Sequence, residues 1–124
     1  MSFIFRRLFS STTPATMDAA QKKAQQLIDE NAVMVFSKSY CPYCNNTKRI
    51  LDGLKAKYGL YELNQEKDGD AIQAALLKMT GQRTVPNVFI GKEHIGGNSD
   101  LETVVREGKG DKTIQDLLRE AGAI

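Results

Sequence analysis

Apolar side chains recur along this chain at two spacings, and the switches between them lay out its elements. From Thr16, a residue suited to cap a helix, Ala20, Ala24, Leu27 and Ile28 form one helical stripe that ends near Asn31. Ala32-Val33-Met34-Val35-Phe36 is apolar throughout and β-prone, so a buried parallel strand is expected over Val33–Phe36. Ser37–Tyr40 reads as a loop. Ile50, Leu51 and Leu54 then return at helical spacing, and Pro42 suits the first helical position, where its missing N–H removes no bond. This helix is expected to stop at Tyr58-Gly59, ahead of a second strand over Leu60–Leu63.

Asn64–Gly69 is polar and reads as a loop. Ala71, Ile72, Ala75, Leu76 and Met79 mark a further helix that stops at Thr80-Gly81. Val85-Pro86 leads into a strand over Asn87–Ile90, and Gly91-Lys92 fits a tight hairpin turn into Glu93-His94-Ile95, which Gly96-Gly97 ends. Asn98-Ser99-Asp100 can cap a helix running to Glu107, and a last amphipathic helix carries Ile114, Leu117 and Leu118. The order α-β-α-β-α-β-β-α-α joins a parallel βαβ half, whose crossover is right-handed, to a hairpin half. With a Cys-x-x-Cys opening the first helix after the first strand, this is a thioredoxin-like α/β fold: a four-stranded mixed sheet flanked by about five helices.

Composition changes the picture in two places. Of the 17 basic and 15 acidic residues, Arg6 and Arg7 are the only charges in residues 1–16, so the remainder is electrically balanced. Balance of this kind gives no concentrated basic face for a nucleic acid, and no apolar run approaches the ~20 residues of a membrane span. Residues 1–16 differ from the rest. They hold no acidic side chain, are rich in hydroxyls, and as a helix gather Ile4, Phe5, Leu8 and Phe9 opposite Arg6, Arg7 and Ser10. That is the description of a mitochondrial transit peptide, the alternative being a disordered leader without an address, with a folded domain over 17–124. Met17 permits a second translation start and hence a cytoplasmic form.

The chemistry concentrates at Cys41-Pro42-Tyr43-Cys44, which holds the only two cysteines. Cys41 falls at a helix start, where unpaired backbone N–H groups and the positive end of the dipole stabilise a thiolate, the reactive form of cysteine. Lys38 adds a nearby positive charge. Cys44, one turn later, can attack a mixed disulfide formed on Cys41. A structural disulfide at this spacing would close too small a loop to constrain the unfolded chain. Zinc needs four ligands where the chain offers Cys41, Cys44 and His94, leaving a site shared between two chains as the open metal reading. His94, the only histidine, reads as a solvated strand residue with no catalytic part, whereas Val33, Val35, Phe89 and Ile90 read as core.

Three motifs in this order, Cys41-Pro42-Tyr43-Cys44, Thr84-Val85-Pro86 and Gly96-Gly97-Asn98-Ser99-Asp100, resemble a dithiol glutaredoxin, particularly of the fungal type, over about residues 18–121. The resemblance implies a monomeric, glutathione-dependent thiol–disulfide oxidoreductase without a metal, acting on glutathionylated and disulfide-containing proteins. Cys41 would attack and Cys44 resolve. It implies a cis bond before Pro86 and a Val85 backbone free to pair with an extended thiol peptide. Ser99 would meet the γ-glutamyl carboxylate and Asp100 its amine, with Gly97 in the glutathione site as a glycine that lets the backbone approach closely. Lys38 and Gln73 would meet the glycine carboxylate with Thr84 and Arg83 nearby, and Tyr43 would line the groove. The rivals are a dimeric carrier of a glutathione-ligated iron–sulfur cluster, disfavoured by Pro42, and a thioredoxin, disfavoured by the Pro-Tyr spacer and by Gly97–Asp100.

Overall fold

The apolar run after Asn31 forms the spine of the molecule. In the computed structural model, which describes residues 14–124, it is strand β1 (Val33–Ser37), buried at all five positions. Around it the chain runs α1 (Pro14–Glu30), β1, α2 (Pro42–Gly53), β2 (Gly59–Glu62), a 3-10 turn over Leu63–Gln65, α3 (Gly69–Thr80), β3 (Asn87–Ile90), β4 (Glu93–Gly96), α4 (Asn98–Glu107) and α5 (Ile114–Ala121). The sheet order is β2-β1-β3-β4, with β1 parallel to β2 and antiparallel to β3, and β3 antiparallel to β4. This is the expected four-stranded mixed sheet with five helices.

Alternation along β1 divides the core in two, because successive side chains of a strand leave on opposite faces. Val33 and Val35 pack with Leu51 of α2, Leu101 and Val104 of α4, and Ile114 and Leu118 of α5. Met34 and Phe36 pack with Ala20, Ala24 and Ile28 of α1 and with Ile72, Ala75 and Leu76 of α3. Burying each such side chain contributes on the order of 1.5–3 kcal/mol before the cost of ordering it. Both layers meet at β1, so its C-terminal end, where the cysteine loop begins, is held from both sides.

Local chemistry sets the boundaries. The chain turns between β3 and β4 through Gly91 and Lys92 at φ 57° and 69°, the pair of left-handed residues that a tight hairpin requires. Helix α1 starts at Pro14, two residues before the expected cap, and the first thirteen residues, most of the leader, lie outside the described residues. The larger correction concerns α2, which ends at Gly53 and not at Tyr58-Gly59. Lys55 takes the left-handed conformation (φ 58°), its N–H returns to Asp52 C=O at 3.0 Å, and the Ala56 N–H returns to Leu51 C=O at 3.0 Å. That is a Schellman stop with lysine in the seat usually held by glycine. Gly59 opens β2 instead. Leu63, expected as its last residue, leaves the strand for the 3-10 turn and is buried under α3.

Gly69 is the expected end of a loop, yet it is the first residue of α3 and is buried. A Cβ there would stand 1.7 Å from the Leu63 carbonyl oxygen, a backbone atom that cannot swing aside. Gly69→Ala is therefore expected to lower stability by about 2–3 kcal/mol, read as a shift in the urea midpoint, and an unchanged midpoint would contradict this packing.

Candidate active site

The C-terminal end of β1 delivers a turn in which the Cys41 N–H donates to the Lys38 C=O at 3.0 Å. Cys41 itself is extended (φ −87°, ψ 119°) and is the N-cap of α2, with Pro42 in the first helical turn. Its sulfur accepts the Cys44 backbone N–H at 3.3 Å and its carbonyl accepts the Asn45 N–H at 3.1 Å. The expected helix-capping thiol is thus present. Both cysteines are unpaired.

They differ in surroundings. Cys41 is half-buried, whereas Cys44 has no exposed surface. Burial, followed by its hydrogen bond with Cys41, pushes the Cys44 thiol up to about 11, against a smaller opposing effect from the Lys38 backbone and the Ser37 hydroxyl. Burial disfavours a thiolate because nothing inside replaces its hydration. Cys44 is therefore protonated at neutral pH.

Facing Cys41 from β3 is the loop before Asn87. The Val85–Pro86 peptide is cis, and the Cys41 thiol points at the Val85 carbonyl oxygen at 3.9 Å. Beside it the start of α4 closes a groove of about 580 Å³ lined by Tyr43, Thr84, Val85, Gly97, Ser99 and Asp100. Six residues singled out in the sequence therefore converge. Tyr43 stands open at its rim, 69% exposed. Of the expected capping stretch Asn98-Ser99-Asp100, Asp100 acts at the cap, which is Gly97: the Gly97 N–H donates to Asp100 Oδ2 at 2.8 Å. Gly96, at φ 122°, brings the chain so close that a Cβ would stand 2.3 Å from that oxygen. The α4 N-terminus and the serine above it remain available to an anion, and the Asp100 carboxylate to a cation.

Gln73 and Arg83 lie in a second hollow of about 290 Å³, with Asp70, Ala74 and Leu77. A link joins them, since Gln73 Nε2 donates to the Arg83 carbonyl at 2.9 Å. Lys38 sits on the turn before Cys41 and lines neither hollow.

The first groove has three further lining residues that periodicity does not mark, Gln82, Asn98 and Glu102. Asn98 is buried and takes both the Thr47 hydroxyl (2.9 Å) and the Asn46 amide (3.0 Å) on its Oδ1, tying α4 to the cysteine helix. Its own amide donates to Glu102 at 3.2 Å. The sequence marks Asn98 as part of a capping stretch and of the third motif, with no signal for its bonds to α2.

His94 is not the solvated residue expected. It is half-buried, its Nε2 lies 2.8 Å from Asn87 Oδ1, and its ring tilts against Phe89 at 5.1 Å, while burial holds it below the usual histidine range. It lines a separate hollow with Gln25, Ile28 and Met79. Among the described residues no three histidine, cysteine or acidic side chains gather as a metal site.

Comparison with known proteins places this geometry. The glutaredoxin family profile matches residues 33–95. A glutaredoxin of Ricinus communis is 52% identical over 105 residues, covering 85% of this chain and 99% of its own. Glutaredoxin-C2 of Arabidopsis thaliana is 49% identical, covering 85% and 91%. The crystal structure of a buckwheat glutaredoxin–glutathione complex superposes with a TM-score of 0.86 at 52% identity, over 91% of this chain and 99% of that one. These are plant proteins, so the fungal character expected from the motifs is not supported.

Proposed function

This chain belongs to the glutaredoxin family and is a glutathione-dependent thiol–disulfide oxidoreductase, and we propose that Cys41 is its attacking thiolate and Cys44 its resolving thiol. The observation that carries the assignment is the Cys41 sulfur at the start of α2, accepting the Cys44 N–H at 3.3 Å beside the Val85 carbonyl, with Cys44 buried behind it.

The Cys41 thiolate attacks the sulfur of glutathione in a protein–glutathione mixed disulfide. A new S–S bond forms between Cys41 and glutathione, the old one breaks, and the protein leaves as a thiolate that takes a proton from solvent. Glutathione bound to Cys41 lies as an extended peptide along Val85, its γ-glutamyl carboxylate at the α4 start beside Gly97 and Ser99 and its amine at Asp100. Its glycine carboxylate turns toward Lys38 and Gln73, near Thr84 and Arg83, while Tyr43 lines the groove beside Cys41. A second glutathione thiolate then attacks this disulfide, regenerating Cys41 and releasing oxidised glutathione.

A protein disulfide takes the longer route. Cys41 becomes bonded to the target, and Cys44 loses its proton, attacks the Cys41 sulfur and expels the second target thiolate. Two glutathiones reduce the resulting Cys41–Cys44 bond. Members of this family poise at roughly −200 to −230 mV, near the glutathione pool, so the direction follows the pool. Both thiols and the groove come from one chain, so a monomer suffices, and the partners are glutathionylated and disulfide-containing proteins.

Cys41→Ser is expected to abolish turnover of every substrate. Cys44→Ser is expected to retain reduction of glutathionylated peptides and to lose reduction of protein disulfides, both measured in an assay coupled to glutathione reductase. Equal loss in the two variants would break this division of labour.

The leader carries a second proposal, of mitochondrial import with cleavage near residue 16 alongside a cytoplasmic form starting at Met17, supported by its arginine-rich, acid-free, amphipathic pattern. N-terminal sequencing of the native protein from separated organelles should find a trimmed end in mitochondria and Met17 or Asp18 in the cytoplasm. A single full-length end in the cytoplasm alone would refute it.

A further inference from the structure

Gln82 carried no signal in the sequence, yet its side chain holds the loop that faces Cys41. The carbonyls of Arg83, Thr84, Val85 and Pro86 go to three different partners. Gln73 Nε2 donates to Arg83 O at 2.9 Å, and Gln82 Nε2 donates to both Thr84 O at 3.1 Å and Pro86 O at 3.0 Å. The Val85 carbonyl alone faces the Cys41 thiol. An amide nitrogen has two hydrogens, so both donors of Gln82 are committed to this loop.

Thr84 and Val85 lie in a bend ahead of β3, and across it the carbonyls of Thr84 and Pro86 converge on one side, at a single nitrogen. With those of Thr84 and Pro86 drawn to Gln82, the Val85 peptide edge is directed the other way, toward the thiol and the groove. The same Nε2 stands 3.9 Å from where a Cβ on Gly97 would be, so it rests against the start of α4. One amide therefore meets both halves of the groove, the strand-like edge and the helix N-terminus.

We propose that Gln82 is a positioning residue for glutathione, fixing the Val85 edge and its separation from the Gly97–Asp100 helix start so that peptide and carboxylate are engaged together. The proposal rests on the reading above, in which the cysteinyl peptide of glutathione pairs with Val85. Removing the amide leaves the carbonyl of Pro86, a buried residue, without its donor, and the edge must reorder each time substrate binds. Gln82→Glu keeps the shape but offers only acceptors to two carbonyl oxygens at about 3 Å. Gln82 touches no reacting atom in this account, so the loss falls on substrate binding and spares the attack by Cys41.

The test compares wild type, Gln82→Ala and Gln82→Glu on a glutathionylated peptide and on the same peptide carrying glutathione methylated at its cysteinyl nitrogen. Wild type should lose about tenfold in kcat/KM on methylation, the worth of one well-made hydrogen bond. Each variant should raise KM about five- to tenfold with kcat within about twofold, and its methylation penalty should shrink to about twofold. A role confined to stability would lower the melting temperature and keep the full penalty. An unchanged KM, or a raised KM with the wild-type penalty intact, overturns the proposal. No penalty in wild type would instead refute the Val85 pairing, and the role of Gln82 with it. If Gln82→Ala fails to fold, Gln82→Glu carries the same expectations.

Discussion

The hydrogen bond from the Cys44 backbone N–H to the Cys41 sulfur, 3.3 Å across the first turn of α2, is the contact on which the site depends. It exists because the chain enters the helix in an extended conformation at Cys41 and Pro42 then fixes the first turn. A helix start has backbone donors without partners, and here a sulfur accepts one of them. The spacing has a second consequence. Cys44, three residues on, must point into the layer beneath, where it is buried beside Ser37 and its thiol is held protonated. One helix start thus makes two equivalent residues unlike.

Everything else in the fold brings other groups to that sulfur. The spine strand β1 is clamped between two apolar layers, so the turn from Lys38 to Cys41 leaves a rigid base. Strand β3 runs antiparallel to β1 with Phe36 opposite Asn87, and this register sets the Thr84–Pro86 loop against the cysteine turn. Hairpin β3–β4 then returns the chain through Gly96 and Gly97 to start α4, which Asn98 fastens to α2. The groove is the gap left between these three junctions. It suits a short extended peptide bearing an anion, and that need for two simultaneous contacts gives the placement of Gln82 its weight.

Elements whose signals are local were legible in the sequence. The all-apolar run of β1, the hairpin at Gly91-Lys92, the stop at Gly81 and the capping cysteine follow from patterns of a few residues. What failed was also local but disguised. Lys55 takes a glycine's conformation, so the end of α2 carries no recognisable stop in the sequence and lies five residues before the expected Tyr58. Leu63 has the apolarity of a strand residue but is spent under α3, because Gly69 lets the helix start pass against its carbonyl. Asn98 stands in a stretch whose residue types signal a cap, yet its side chain bonds across to another helix, and His94 packs on Phe89 where the strand pattern signals a solvated residue. Gln82 is the extreme case. Its partners are backbone carbonyls, and no side-chain pattern in a sequence encodes where a carbonyl points.

The central claim is that the fold separates two chemically identical thiols, leaving Cys41 open at a helix start and Cys44 buried and protonated. It is tested most directly by following iodoacetamide alkylation of each cysteine in the reduced native protein as a function of pH, with peptide mapping by mass spectrometry. The account predicts that Cys41 is modified at neutral pH while Cys44 stays unmodified until the pH approaches about 11 or the protein unfolds. Alkylation of both residues over the same pH range, or of Cys44 first, would contradict it.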